Sequence, residues 1–204
     1  MTKSKQRYLS NKKRIFRKKI YILVGASASG KTTVENKLIE NGFVERVVSH
    51  TSRAIRETEK EGVDYYFSSV KDCLNQKNVL EIHITPEWVY AVSQKELFSH
   101  SGQSDLIYSC INVEPAEDMF NYIKDNNLNI EPILVFFDID TEQRIKLLKA
   151  RGETDADISL RLSREDTIES FSINPNFILT DIFSAYEDIL IEGEFDVPKC
   201  KVNR

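Results

Sequence analysis

One stretch near the start of the chain, residues 20–41, constrains the fold more than any other. It opens with a continuous apolar run from Ile20 to Val24, which is typical of a strand buried on both faces of a parallel sheet. A glycine-containing loop follows, and from Lys31 onward apolar side chains recur at helical spacing until Asn41-Gly42 supplies a stop signal. The sequence therefore predicts a strand, a tight loop and a helix in direct succession.

The loop between this strand and this helix fits the pattern G-x-x-x-x-G-K-[ST] in the structural context that the pattern requires. Glycines let successive backbone N–H groups turn inward toward phosphate oxygens, and the dipole of the following helix favours the same negative charge. Lys31 is expected to bridge the β- and γ-phosphates of ATP, and the Thr32 hydroxyl is expected to bind Mg²⁺. The predicted ATP-binding residues are Gly25, Ala26, Ser27, Ala28, Ser29, Gly30, Lys31, Thr32 and Thr33, with Thr32 as the metal ligand.

Composition and charge restrict the class of protein. The 204 residues are 41% hydrophobic, which suits one α/β domain, and no apolar run approaches the roughly 20 residues of a membrane helix. The three cysteines are widely spaced and lack metal-ligand spacing, which predicts reduced thiols. The first residues lack the apolar core of a signal peptide, so we expect a cytoplasmic protein.

The charge is distributed unevenly along the chain. Residues 1–19 carry nine Lys/Arg and no acidic side chain, whereas the remaining residues hold 19 basic and 32 acidic side chains, a net charge of −13. A basic arm can contact nucleic acid or an anionic membrane, but we favour a flexible, solvated arm that offsets an acidic domain. We therefore expect neither a membrane nor nucleic acid as a partner.

Alternating strand and helix patterns predict the fold class. Strand candidates lie at 20–24, 44–48, 106–113, 133–139 and 177–179, with helical patterns between them, which predicts an α/β fold with a doubly wound, mainly parallel sheet. A β-rich stretch within about 45–100 interrupts this alternation as a small insertion. The helices include 141–150, with Ile145, Leu147 and Leu148 inward, one from Ile158 to about Ser170, and a last one capped by Asp181.

The first half of the insertion contains two arginines, Arg53 and Arg56, in a polar segment. Because a phosphate-binding loop lies upstream, two guanidinium forks are a good match for a second phosphate group.

Four motifs, in this order and spacing, resemble the guanylate kinase family over most of residues 20–190. The first is the phosphate loop. The second, similar to S-x-T-T-R-x-x-R-x-G-E-x-x-G-x-x-Y-x-F, is Ser49-His50-Thr51-Ser52-Arg53-Ala54-Ile55-Arg56-Glu57-Thr58-Glu59 with Gly62, Tyr65 and Phe67. The third is Glu81 followed nine residues later by Tyr90, and the fourth is Arg151-Gly152-Glu153-Thr154-Asp155 with Arg161-Leu162-Ser163.

The resemblance implies a P-loop kinase fold over residues 20–204, with a nucleotide-monophosphate-binding insertion at about 45–100 and a helical lid at about 151–162. It implies a nucleoside monophosphate kinase that uses ATP and Mg²⁺ to phosphorylate GMP or dGMP to the diphosphate, as a monomer or homodimer. The implied catalytic residues are Lys31, Arg53, Arg151, Arg161 and Arg164. The implied substrate-binding residues are Ser49, Arg53, Arg56, Glu59, Tyr65, Glu81, Tyr90, Val92 and Asn112.

The chain departs from the family pattern at positions that the family uses for the base and for the Mg²⁺ site. Val92 stands where the family carries a hydroxyl, and Cys110 and Asn112 stand at two positions that are acidic in the family. These differences leave open a kinase of the same fold that acts on another (deoxy)nucleotide or a ribose phosphate. An alternative of another class is an interaction module that has lost catalysis, but the intact Lys31 and the lid arginines argue against it.

Overall fold

The chain forms two β-sheets. The computed structural model describes residues 18–100, 104–163, 165–181 and 185–192. In chain order the strands are β1 (Lys18–Gly25), β2 (Val44–Arg46), β3 (His50–Thr51), β4 (Tyr66–Phe67), β5 (Val79–Ile84), β6 (Val89–Ser93), β7 (Asp105–Cys110), β8 (Ile130–Phe137) and β9 (Phe177–Leu179). The helices are α1 (Lys31–Glu40), α2 (Val70–Leu74), α3 (Gln94–Phe98), α4 (Val113–Asp125), α5 (Thr141–Ala150), α6 (Asp155–Leu162) and α7 (Ala185–Glu192).

The larger sheet has five strands in the order β2-β7-β1-β8-β9, and all of its pairings are parallel. Strand β1 lies at its centre, and its residues from Ile20 to Val24 are completely buried. Because side chains alternate across a strand, Ile22 faces a core with Met119 of α4, whereas Leu23 faces a core with Leu38 of α1. Helices cover both faces, which confirms the predicted doubly wound α/β fold.

The smaller sheet is formed by the β-rich stretch that interrupts the alternation. Its order is β4-β3-β6-β5, with β3 and β4 parallel and the other two pairings antiparallel. Glu81 pairs with Val92 in this sheet, and His83 pairs with Tyr90. The chain leaves the larger sheet after β2 and returns to it at β7, so the smaller sheet is an insertion between two neighbouring strands.

Arg46, at the end of β2, contacts both α1 and the segment that leads into β4 of the smaller sheet. Its Nε donates to Glu35 Oε1 on α1 at 2.7 Å, and its Nη2 donates to Asn36 Oδ1 at 2.5 Å. Its Nη1 donates to the Val63 carbonyl and to Asp64 Oδ1, both at 3.1 Å. One guanidinium group therefore joins the helix after the glycine loop to the segment that precedes β4.

Several element boundaries differ from the sequence-based expectation. The helix predicted from Ile158 to about Ser170 is wrong at both ends, because α6 begins at Asp155 and ends at Leu162, with a separate 3₁₀ turn at Ile168–Ser170. The Thr154 side chain accepts from the Asp157 N–H and so starts α6 one turn earlier. The strand predicted at 106–113 ends at Cys110, since Val113 already begins α4.

The two ends of the chain lie largely outside the described residues. Residues 1–17 of the predicted basic arm are among these, whereas Lys18 and Lys19, the last two residues assigned to the arm, belong to β1 and pair with Ile130 and Glu131. In the part of the chain that the structure describes, no helix is both long enough and apolar enough to cross a bilayer.

Candidate functional site

The glycine loop between β1 and α1 closes around the Lys31 ammonium group. Lys31 Nζ donates to the carbonyl oxygens of Gly25 at 2.5 Å and Ala26 at 2.9 Å, and to Ser29 Oγ at 3.2 Å. Burial lowers the pKa of Lys31 to about 8. A buried cation whose hydrogen-bond partners are neutral oxygens is well suited to an anionic ligand.

The backbone of this loop has a shape that side chains would obstruct. A Cβ atom added to Gly25 would lie 2.8 Å from both Cβ and the carbonyl oxygen of Phe137 on β8. Gly30, with φ of 93°, is the N-cap of α1, and the first turn of α1 contains no acidic residue. The positive end of the helix dipole is therefore left for a ligand. Thr32 and Thr33 lie exposed in this first turn.

A second cationic group lies on the smaller sheet and its loop. Arg53 is held by a two-point contact with Glu59, with Nη2–Oε1 at 2.7 Å and Nη1–Oε2 at 3.0 Å. Glu59 Oε2 also accepts the Arg56 N–H at 2.9 Å, while the Arg56 side chain remains 61% exposed. Glu59 therefore organises both predicted arginines.

Aromatic rings enclose this group. The Arg53 guanidinium lies 5.4 Å from the Tyr65 ring and 5.8 Å from the Phe67 ring, and the Tyr65 and Tyr90 rings are 6.1 Å apart. Burial raises the pKa of Tyr65 to about 12, so its hydroxyl remains a hydrogen-bond donor at neutral pH. The structure thus brings together five of the predicted substrate-binding residues, Arg53, Arg56, Glu59, Tyr65 and Tyr90.

Glu81 is a buried carboxylate between the two sheets. Its side chain is on β5, only 3% of the residue is exposed, and Oε2 accepts from the Tyr108 hydroxyl of β7 at 3.0 Å. Oε1 is buried without a hydrogen-bond partner among the described residues. Burial raises the pKa of Glu81 to about 7, and the acidic residues Glu114 and Asp118 add to the increase.

The other residues predicted to bind the base lie in three different parts of the chain. Val92 is opposite Glu81 in the register and is completely buried, and Ser49 is 8% exposed just before β3. Asn112 is the N-cap of α4, and its Nδ2 donates to Asp166 Oδ2 at 3.3 Å. Together with His83 and Asp166, Asn112 lines a cavity of about 310 Å³ beside the start of α4.

The predicted lid contacts the glycine loop directly. On α6, Arg161 donates through Nη1 to Ser27 Oγ at 3.3 Å and through Nε to Glu153 Oε2 at 2.6 Å. Arg151 is exposed at the C-terminal end of α5. Arg164 lies outside the described residues, so its predicted role is not tested.

Two buried polar residues near the site were missed by the sequence analysis. Arg144 is 5% exposed, and its guanidinium donates to the Ile139 carbonyl, to Thr141 Oγ1 and to Glu165 Oε1. The helical pattern instead predicts Leu147 as inward, but this residue is 41% exposed. Tyr108 was missed as well; a tyrosine inside an otherwise aliphatic strand pattern is the signal that could have found it.

Comparison with known proteins points to a single family. The sequence model of the family described as guanylate kinase matches residues 17–171. The guanylate kinase of Legionella pneumophila (strain Lens) is 45% identical over 60 residues, 29% of each chain. That of Desulfotalea psychrophila is 33% identical over 102 residues, 48% of this chain and 50% of the relative. The matches thus span half or less of the length of these curated relatives.

A solved structure supports the same fold. The crystal structure of guanylate kinase from Anaplasma phagocytophilum superposes with a TM-score of 0.57 over 89% of this chain and 88% of that chain, at 21% sequence identity. At this identity the similarity shows the fold, with its mostly parallel central sheet.

Proposed function

The chain belongs to the guanylate kinase family, because the family's sequence model matches more than half of it, and from this premise we propose that it transfers the γ-phosphoryl group of ATP to GMP or dGMP. One observation supports the proposal: the fold holds two cationic groups, the loop around Lys31 and the arginine pair organised by Glu59. A kinase that joins two phosphorylated substrates needs such a pair.

The loop around Lys31 is proposed to bind the phosphates of ATP. Phosphate oxygens would replace the carbonyls of Gly25 and Ala26 as partners of the ammonium group, and the N–H groups at the start of α1 would add further donors. Because the negative phosphates favour the charged amine, they would offset the burial that lowers the pKa of Lys31.

The residues present fit a magnesium ion held mainly by substrate and water. Thr32 offers an exposed hydroxyl in the first turn of α1, and the described residues contain no cluster of three or more acidic, histidine or cysteine side chains that could hold a metal. Mg²⁺ commonly binds through few protein ligands together with phosphates and water. When bound, Mg²⁺ would neutralise charge on the β- and γ-phosphates.

The second group is proposed to bind the phosphate of the acceptor. Arg53 and Arg56 supply forked donors and Tyr65 and Tyr90 supply hydroxyls, with Glu59 keeping the arginines in place. An oxygen of the acceptor phosphate then attacks the γ-phosphorus of ATP, and the bond to the bridging oxygen of the β-phosphate breaks. This oxygen is already nucleophilic at neutral pH, so positioning and charge neutralisation suffice.

Glu81 is proposed to recognise the base. Guanine presents its N1–H and its 2-amino group as adjacent donors, whereas adenine offers no such pair. The buried Oε1 atom of Glu81, which has no partner among the described residues, would gain a donor from guanine. Ser49 and Asn112 would contribute neutral hydrogen bonds, and Val92 would contribute only packing.

The lid arginines are proposed to close over the transferring group. Arg161 already contacts Ser27 of the glycine loop, so a small shift of α6 would bring its guanidinium to the phosphates. Arg151 would move toward the phosphates with the same shift. Closure of this segment would exclude water that could otherwise hydrolyse ATP. The role of Arg164, a cytoplasmic location and a monomeric or homodimeric state stay predictions from the sequence.

A coupled assay of ADP formation tests the proposal, with ATP and Mg²⁺ and with GMP, dGMP, AMP, CMP, UMP and dTMP compared side by side. We expect turnover on GMP or dGMP. Lys31→Ala should lose turnover by orders of magnitude, and Lys37→Ala, on the exposed face of the same helix, should retain it. Turnover on another acceptor but not on GMP or dGMP, or an active Lys31→Ala variant, would contradict the proposal.

A further inference from the structure

Tyr108 connects strand β7 of the larger sheet to the smaller sheet. It lies on β7, pairs with Ile22 of β1 in the register, and is 4% exposed. Its ring packs in the core with Val92, and its hydroxyl donates to Glu81 Oε2 at 3.0 Å. A core tyrosine whose only polar atom meets a buried carboxylate of another sheet is positioned for more than packing.

We propose that Tyr108 is a positioning residue for recognition of the acceptor base, because its hydroxyl fixes the Glu81 carboxylate in the orientation that keeps Oε1 available to a donor on that base. The inference rests on the proposed function and assigns a role to a residue outside the four motifs.

The hydrogen bonding of Glu81 supports this role. Tyr108 is the one hydrogen-bond partner of the Glu81 side chain among the described residues, and the residue opposite Glu81 in the sheet is Val92, which has no polar side-chain atom. An ionised carboxylate has about four lone-pair positions, and Tyr108 uses one of them on Oε2. Oε1 therefore has no hydrogen-bond partner among the described residues, and it can accept from a ligand donor that reaches it.

The groups around Glu81 have opposite effects on its pKa, and the Tyr108 hydroxyl is the one that lowers it. The groups that act on it are Tyr108 and the Cys110 thiol on β7, and Glu114 and Asp118 on α4. Burial and the two acidic residues raise the pKa of Glu81, whereas the hydrogen bond from Tyr108 lowers it. Burial also raises the pKa of Cys110, so the thiol stays neutral. Tyr108 is thus the neighbour that favours the carboxylate form, which is the form that accepts two donors.

Replacement of Tyr108 by phenylalanine tests the inference, since it removes the hydroxyl and keeps the ring. We expect the KM for GMP to rise about tenfold with kcat within about twofold, as for loss of a hydrogen bond that orients a binding group. The acidic limb of kcat/KM for GMP should move to higher pH. Tyr186→Phe on α7, where the ring lies 3.8 Å from Lys37 Nζ, is the matched control and should change neither quantity.

A second measurement does not depend on turnover. Carbon NMR of the side-chain carboxyl groups in the ligand-free protein, with the Glu81 signal assigned from its loss in Glu81→Gln, should show a higher titration midpoint in Tyr108→Phe than in the wild type. In the Glu81→Gln background, Tyr108→Phe should have little further effect on the KM.

An unchanged titration midpoint, or an unchanged KM and acidic limb in Tyr108→Phe, would overturn the positioning role. If the wild-type protein fails to phosphorylate GMP or dGMP while the midpoint still shifts, the proposed function fails and the Tyr108–Glu81 hydrogen bond stands as a structural contact only. The two failures are therefore distinguishable.

Discussion

The buried ion pair between Arg144 and Glu165 offers a direct test of what holds the segment after α6 against α5. Arg144 is on α5, and its Nη1 lies 2.5 Å from Oε1 of Glu165, which follows α6. The two side chains are 6% and 12% exposed. Arg144 also donates to the Ile139 carbonyl and to Thr141 Oγ1, both at 3.0 Å.

We expect Arg144→Met to lower the free energy of unfolding by about 3 kcal/mol. Removal of one partner of a buried ion pair costs about 3–5 kcal/mol, because the remaining charge is left without compensation. We use the lower end of this energy range, since the Glu165 side chain keeps some contact with water. Methionine preserves the apolar stem, so the loss comes from the guanidinium group. For a chain of this size the melting temperature should fall by roughly 6–12 °C.

The assay is thermal and urea unfolding followed by circular dichroism, with Lys146→Met on the exposed part of α5 as the control for loss of a cation. A double variant that also carries Glu165→Met should recover most of the lost stability, because both charges are then gone. A decrease below about 1 kcal/mol, or an equal decrease when Glu165 is already methionine, would refute the reasoning.

Three further predictions concern the site. Gly25→Ala should destabilise the protein by about 2–3 kcal/mol and raise the KM for ATP, because the added Cβ would lie 2.8 Å from Phe137 atoms; thermal unfolding and kinetics would show this. Glu59→Gln should raise the KM for GMP about tenfold, since the charge that holds Arg53 and Arg56 is lost, and unchanged kinetics would contradict this. The pKa of Glu81, about 7 in the folded state against an ordinary 4.5, means that the folded state holds this proton more tightly; stability should therefore fall as the pH rises from about 4.5 to about 7. Glu81→Gln should remove that decline and be about 3 kcal/mol more stable than the wild type near pH 8, as measured by urea unfolding across the pH range.

The parts of the fold that sequence alone predicted are those with a strong local pattern. The run from Ile20 to Val24 and the motif around Lys31 located β1, the loop and α1 closely, because burial on both faces and the loop geometry each demand particular residue types. The two-residue strands β3 and β4 had no such signal, since two residues cannot show a period.

The polar contacts within the site were less accessible to sequence reasoning. Motif spacing pointed to Arg53, Glu59 and Glu81. It did not show that Glu59 accepts two hydrogen bonds from the Arg53 guanidinium group. The pairs Tyr108–Glu81 and Arg144–Glu165 are 27 and 21 residues apart and lie on elements that meet only in the folded state. Such contacts depend on how the two sheets and the segment after α6 are placed together, which no local pattern encodes.

The guanidinium contacts of Arg46 have a consequence for how the two proposed substrates would influence each other. They join Glu35, on the helix that begins at the loop proposed to bind ATP, to Asp64, the neighbour of Tyr65 in the group proposed to bind the acceptor. If this bridge carries a shift from one side to the other, binding becomes cooperative, and thermodynamic reciprocity requires the same factor in both directions. The factor by which a non-hydrolysable ATP analogue tightens GMP would equal the factor by which GMP tightens the analogue, and Arg46→Met would bring both factors toward unity.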